Sequence, residues 1–177
     1  MNPIEIVKKI KDKFPEEVLW FRCFREECDI TIKKEKIKDI LEYLKNTPTL
    51  EFDYLIDLTA VDYLGFREPR FDVIYQLMSI KHRHRLRVKA EVSEQECFIN
   101  SVVDLWKTAN WFERECFDMF GIEFKGHPDL RRILMPEDWI GFPLRKDYPV
   151  YSDLKDKEWQ PYKELKELAT GWKENEP

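Results

Sequence analysis

The chain has 177 residues, the length of one ordinary domain with an extension. Its 43% hydrophobic content supports a sizeable core and excludes wholesale disorder, whereas 37% charged residues demand a densely ionic surface. A net charge of −5 argues against a general nucleic-acid binder, and five glycines without GxGxxG or GxxxxGK[ST] argue against a Gly-rich phosphate-binding architecture.

Asn2-Pro3-Ile4-Glu5 predicts a helix start: an N-cap, proline in the first turn and Glu three residues after the cap. Ile6, Val7, Ile10 and Phe14 repeat at helical spacing until Pro15. Val18–Phe24 reads as a strand, turned by Arg25-Glu26-Glu27 into a second strand on which Cys28, Ile30 and Ile32 alternate. Ile37, Ile40, Leu41 and Leu44 form the stripe of an amphipathic helix over Lys34–Lys45. Alternation predicts a third strand with Leu50, Phe52, Tyr54, Ile56 and Leu58 on its buried face. A loop at Gly65–Pro69, a strand over Phe71–Ile80 and another carrying Leu86, Val88, Ala90 and Val92 follow, with the turn near Lys81–His84. Ser93-Glu94-Gln95-Glu96 matches a capping box, so a long helix is expected with Val102, Leu105, Trp106, Ala109 and Phe112 facing the sheet, running through Met119 to a Gly121 stop. The fold class is therefore α+β: a two-layer sandwich of helices on a five-stranded mixed sheet over residues 1–121.

From Gly121 onward lie four of the five glycines and six of the ten prolines, yet the stretch is too apolar for a solvated linker. Residues 122–177 are expected to form an extended C-terminal arm lying on another protein, with a short helix near 158–170. No run approaches the ~20 apolar residues of a membrane helix, and the N-terminus lacks the h-region of a signal peptide, so a soluble, cytosol-facing chain is expected.

Cys23, Cys28, Cys97 and Cys116 show no C-x-x-C spacing and read as reduced thiols behaving as small hydrophobes. His82, His84 and His127 offer no metal-binding pair on a helix, and no bound metal is expected. The basic run Lys81–Lys89 places Arg85, Arg87 and Lys89 on one strand face. Without an RNP-type signature it reads as a solvated face, or one paired with acidic groups, rather than an RNA-binding sheet. Glu113 and Glu115 point different ways on a helix, while Arg114 and Asp118 stand at i, i+4 and can pair. No G-x-S-x-G, H-E-x-x-H or Cys–His signature is present, and the residues alone indicate an interaction protein more than an enzyme.

The stretch Asn110-Trp111-Phe112-Glu113-Arg114-Glu115-Cys116-Phe117-Asp118-Met119-Phe120-Gly121, with the following GIEFKGHPDLRRILMPEDWIGFPLRKDYP, resembles the signature of the C subunit of proton-pumping NADH:quinone oxidoreductase, respiratory complex I. Ile56–Tyr63 and the Ser79–Val88 hairpin are similar to the family's N-terminal domain. The resemblance implies a peripheral subunit with no catalytic residues and no cofactor of its own, although the complex carries FMN, iron–sulfur clusters and quinone. It implies the hydrogenase-like D subunit, next to the quinone site, as partner to the arm, with other peripheral-arm members such as the B and I subunits nearby. Contact with membrane would be indirect, on the cytoplasmic side of the inner membrane, and nucleic acid would not be a partner.

By the same resemblance, Glu113, Arg114, Glu115, Asp118 and Gly121 fix where the arm departs, and His127-Pro128 sets a rigid turn. Arg131, Arg132, Arg145 and Lys146 would make charged contacts to the D subunit; Trp139, Phe142 and Tyr148 would be aromatic anchors, with Pro143 and Asp147 in the same motif. The equivalent subunit of a membrane-bound hydrogenase, or of an F420H2- or ferredoxin-linked reductase, shares these features. A free-standing RNA-binding module is the alternative from another class.

Overall fold

The structure, a computed structural model, describes residues 2–25 and 27–148. The helix expected near 158–170 lies outside the described residues. Helix α1 spans Pro3–Lys13. The Asn2 side chain accepts the Ile4 N–H at 3.1 Å and Glu5 accepts the Asn2 N–H at 3.2 Å, closing both halves of the capping box. Strands β1 (Val18–Phe24) and β2 (Glu27–Lys33) form a hairpin, and a single 3₁₀ turn leads into α2 (Ile37–Asn46), whose Ile37, Ile40, Leu41 and Leu44 are all buried. Strands β3 (Tyr54–Asp62), β4 (Phe71–Ser79) and β5 (His84–Val92) complete a five-stranded sheet in the order β1-β2-β5-β4-β3. Only β2 and β5 are parallel, so the sheet is mixed. Two short strands, β6 (Phe98–Asn100) and β7 (Glu123–Lys125), pair in parallel on either side of α3 (Ala109–Phe120).

Three expectations are corrected. Strand β3 starts at Tyr54, not Leu50: Leu50 and Phe52 are buried within the turn that follows α2, where Glu51 takes a left-handed conformation. A register shift between Leu55 and Asp57 then changes the alternation, so Leu55 and Leu58 face the core while Tyr54 is exposed. The Ser93 motif does not open a helix. Ser93 Oγ accepts the Glu96 N–H at 3.2 Å, but the chain then becomes extended, because Phe98–Asn100 finds backbone partners in β7. Helix α3 is accordingly confined to Ala109–Phe120, although Val102, Trp106 and Ala109 remain buried as expected.

The third correction concerns the thiols. Cys97 and Cys116 are free, whereas Cys23 and Cys28, opposite each other across the β1–β2 hairpin, form a disulfide. The histidines divide: His82 lies in the β4–β5 turn and His84 opens β5.

Helix α1 packs on β1, β2 and β5, while α3 packs on β3. The opposite face of the sheet carries ionic pairs, Asp29 with Arg87 (3.1 Å) and Lys89 (3.2 Å), and Arg67 with Glu91 (2.9 Å) and Asp72. The basic face of β5 is thus partly neutralised by carboxylates. No helix among the described residues is long and apolar enough to cross a membrane.

Candidate functional site

Helix α3 carries two fully buried carboxylates five residues apart, which at 100° per residue separates them by about 140° around the helix. Glu113 turns into the body and Asp118 turns toward the chain that follows. Glu113 accepts the Ser101 hydroxyl at 2.6 Å and the Val102 N–H at 2.7 Å, anchoring the turn before α3. Burial pushes its carboxyl up to about 7, against the lowering effect of those two bonds.

Asp118 organises the next segment. One carboxylate oxygen accepts the N–H groups of Ile133, Leu134 and Met135 at 3.0, 2.7 and 2.8 Å, and the other accepts from Arg132 at 2.6 Å. Burial acts to raise this carboxyl, but the backbone donors and the guanidinium outweigh it and hold it below the usual carboxylate range. A carboxylate so near a helix C-terminus opposes the helix dipole, so its value lies in these tertiary bonds. Arg132 further donates to the carbonyls of Asp118, Trp139 and Gly141 at 3.1, 2.9 and 3.0 Å, and Arg114 to those of Arg131 and Arg132 at 3.1 and 2.9 Å. The expected Arg114–Asp118 pair is therefore replaced: each bonds the segment 131–135 instead of the other.

At the end of α3, Gly121 adopts φ +73°, and a Cβ there would stand 2.5 Å from the Phe142 ring. Only glycine permits both the left-handed stop and that approach. The chain then runs back over the body: the Leu144 N–H donates to Met119 O at 3.1 Å and the Arg145 guanidinium to Phe120 O at 2.6 Å.

The far end is closed on a group the sequence did not reveal. Arg70 is fully buried and bidentate to Asp62 (3.0 and 2.8 Å), with Glu94 at 2.6 Å and Asp147 at 2.7 and 3.1 Å. Asp62 also accepts the Lys146 N–H at 2.8 Å. Burial acts to raise the Asp62 carboxyl, yet Arg70 and the N–H groups of Lys146 and Leu64 lower it to about 2. The Arg70 guanidinium is pushed up by Asp62 and Asp147. Together these bonds clasp the arm to the body.

The remaining expected residues fall as follows. His127 Nδ1 accepts the Asp129 N–H (3.0 Å) and its Nε2 lies 3.2 Å from Asn110 O, a structural role beside the exposed Pro128. Glu115 is exposed, and Arg131 is exposed and pairs with Asp129 at 3.0 Å. Trp139 and Tyr148 stack at 6.4 Å, half-buried rather than sealed inside, and Phe142 meets Phe117 edge-on at 6.4 Å, with Pro143 half-buried beside it. Arg132 and Arg145 are turned inward onto this chain's own carbonyls, Arg132 also onto the Asp118 carboxylate. Beside exposed charges such as Asp129, Arg131, Glu137 and Lys146, the arm presents apolar groups outward: Leu134, Ile140 and Leu144 are each more than half exposed, as is Trp111 of α3. Among the described residues no group of three or more His, Cys, Asp or Glu could hold a metal ion.

The family model described as respiratory-chain NADH dehydrogenase, 30 kDa subunit, matches residues 30–153, which include every residue of this clasp. The chain belongs to that family. It is 49% identical over 157 residues to the NADH-quinone oxidoreductase C subunit of Geobacter sulfurreducens, covering 89% of this chain and 93% of that one. It is 46% identical over 152 residues to the protein of the same name from Roseiflexus castenholzii, covering 86% of each. Among solved structures, the trypsin-resistant fragment (1-134) of Nqo5 superposes with a TM-score of 0.64 at 29% identity, covering 73% of this chain and all of that fragment. A chain of the membrane-bound sulfane sulfur reductase, an archaeal respiratory membrane complex, superposes with a TM-score of 0.67 at 26% identity over 88% of this chain and 90% of that one. As a member of the 30 kDa family, the chain has the fold its signature implied.

Proposed function

We propose that this chain is a peripheral subunit of a proton-translocating NADH:quinone oxidoreductase and that it acts by docking, without a redox centre or catalytic residue of its own. Its partner is the hydrogenase-like D subunit, at the cytoplasmic side of the membrane, with the B and I subunits as further neighbours. The observation that carries this reading is the arm's division of labour. Arg132, Arg145 and Asp147 are spent inward on Asp118, Phe120 and Arg70, while Leu134, Ile140 and Leu144 stand in solvent. An arm held by directional bonds with its apolar groups outward is preorganised for a partner. The relatives named as C subunits of NADH-quinone oxidoreductase support NADH as the donor.

A second reading rests on the likeness to the sulfane sulfur reductase chain: the same scaffold serves a complex of different chemistry. Neighbouring genes separate the two. A flavin-binding NADH subunit encoded alongside supports the first; its absence beside hydrogenase-type genes supports the second.

The docking itself is tested by placing a cysteine at Ile140 and following its alkylation by mass spectrometry. In the lone chain the thiol should react freely, and after co-expression with the D subunit it should be protected. Equal labelling in both states would refute the arm as the docking element.

A further inference from the structure

The basic run in β4–β5 forms part of a second feature, away from the clasp. Strands β2 and β5 are parallel neighbours, with Asp29 opposite Arg87, so the β1–β2 and β4–β5 tips emerge at the same end of the sheet. Arg25 at the first tip and Arg83 at the second are both in the left-handed conformation, at φ 49° and 53°. That conformation suits glycine or asparagine and costs a long side chain some strain. Glu51, the third such residue, pairs with Lys81 (2.7 Å) and lies 3.2 Å from the His82 ring nearby but leaves the arginines untouched. Among the described residues, the guanidiniums of Arg83 and Arg85 have no ion pair or hydrogen bond, and that of Arg25 rests only on the Phe24 ring at 5.0 Å. The three line one hollow of about 530 Å³, where the carboxylate among the described residues is Glu27.

His84 lines the same hollow. It is 6% exposed; its Nε2 lies 2.8 Å from Leu50 O and so carries the proton, which leaves the buried Nδ1 an acceptor with no partner. The arginines thus make the hollow ask for negative charge. A peptide bearing Asp or Glu supplies that charge as carboxylates, which guanidinium groups pair bidentately. Phe24 and Ile80, each more than half exposed on the two hairpins, add apolar surface that suits a protein segment.

We infer that this end of the sheet is a docking notch for an acidic segment of a neighbouring protein of the complex, gripped by Arg25, Arg83 and Arg85. It is a contact separate from the arm, and it rests on the reading of the chain as part of a larger complex. The test uses the assembled complex carrying Arg83→Glu with Arg85→Glu, a control Lys8→Glu on α1, and washing at rising salt. The double variant should leave the complex at several-fold lower salt than parent and control, because both guanidinium contacts are reversed. Retention equal to the parent at every salt overturns the notch. Failure of the parent itself to co-purify instead overturns the reading of the chain as a complex member. Loss of binding to vesicles containing phosphatidylglycerol, with retention in the complex unchanged, would assign the notch to lipid and overturn the protein partner. Arg83→Gly relieves the left-handed strain, so it should weaken retention while leaving the melting temperature unchanged or raised. A lowered melting temperature would make Arg83 structural and count against the proposal.

Discussion

In the body, β4 and β5 meet through buried apolar pairs, Tyr75 opposite Val88 and Leu77 opposite Leu86, continued by Val73 opposite Ala90. In the described part of the arm beyond β7, residues 126–148, the chain is held instead by Asp118, Arg132, Arg145 and the Arg70–Asp62–Asp147 cluster. Apolar burial is non-directional and consumes the very side chains a partner would use. Directional polar bonds fix a backbone while leaving such side chains free. Leu130 and Met135 do pack against the core, but Leu134, Ile140 and Leu144 do not, and the difference between the two regions explains how one chain can be folded and still expose large apolar side chains.

The largest expected effect breaks the polar side of that contrast at its buried centre. Arg70→Ala leaves the Asp62 carboxylate and parts of Glu94 and Asp147 without their cation inside the protein, which typically costs about 3–5 kcal/mol. Chemical denaturation should register a loss of that order. A change under about 1 kcal/mol would mean that water readily replaces the guanidinium and that the cluster does not hold the arm's end.

Glu113 sharpens the contrast from the body's side, since it is a buried acid with no cation bonded to it. Folded, it titrates near 7; its ordinary value is 4.5. The fold therefore favours the protonated form: that contribution is complete below about pH 4.5 and is lost as pH rises through 7, amounting to roughly 3 kcal/mol. Stability of the parent should fall between about pH 5 and 8, and Glu113→Gln should flatten the fall. Asp62 and Asp118 are shifted down, so their contributions persist over this window and fade only below the ordinary carboxylate range. Matching pH slopes in parent and variant would sink the assignment.

Those two groups also mark the limit of what the sequence discloses. The α1 cap, the α2 stripe and the alternation of β5 were legible because each depends on residues within a few positions of one another. The phase of β3 depends on a bulge and the fate of Phe98–Asn100 on pairing with β7 across α3, neither of which leaves a local pattern. Glu113 and Asp118 stood in a recognisable motif, but their burial and partners did not. Arg70 was invisible, because its partners lie 8, 24 and 77 residues away. Its one signal was a lone arginine beside a strand dense in buried residues, adjoining the Asp62 segment.

Asp118→Asn tests whether body and arm respond separately. The amide keeps the shape of the carboxylate, but one of its two ends becomes a donor. That end must face either the Arg132 guanidinium or the N–H groups of Ile133, Leu134 and Met135, all of which are donors themselves. The loss of charge-assisted bonds should cost about 1.5–3 kcal/mol locally. Native-state hydrogen exchange should then show the amides of residues 133–135 opening about 10- to 100-fold more readily, with those of β4 and β5 little changed. Equal acceleration throughout would instead mean that arm and body open as one unit. The polar clasp would then be part of the core's own cohesion, not a mount on which an otherwise independent arm is carried.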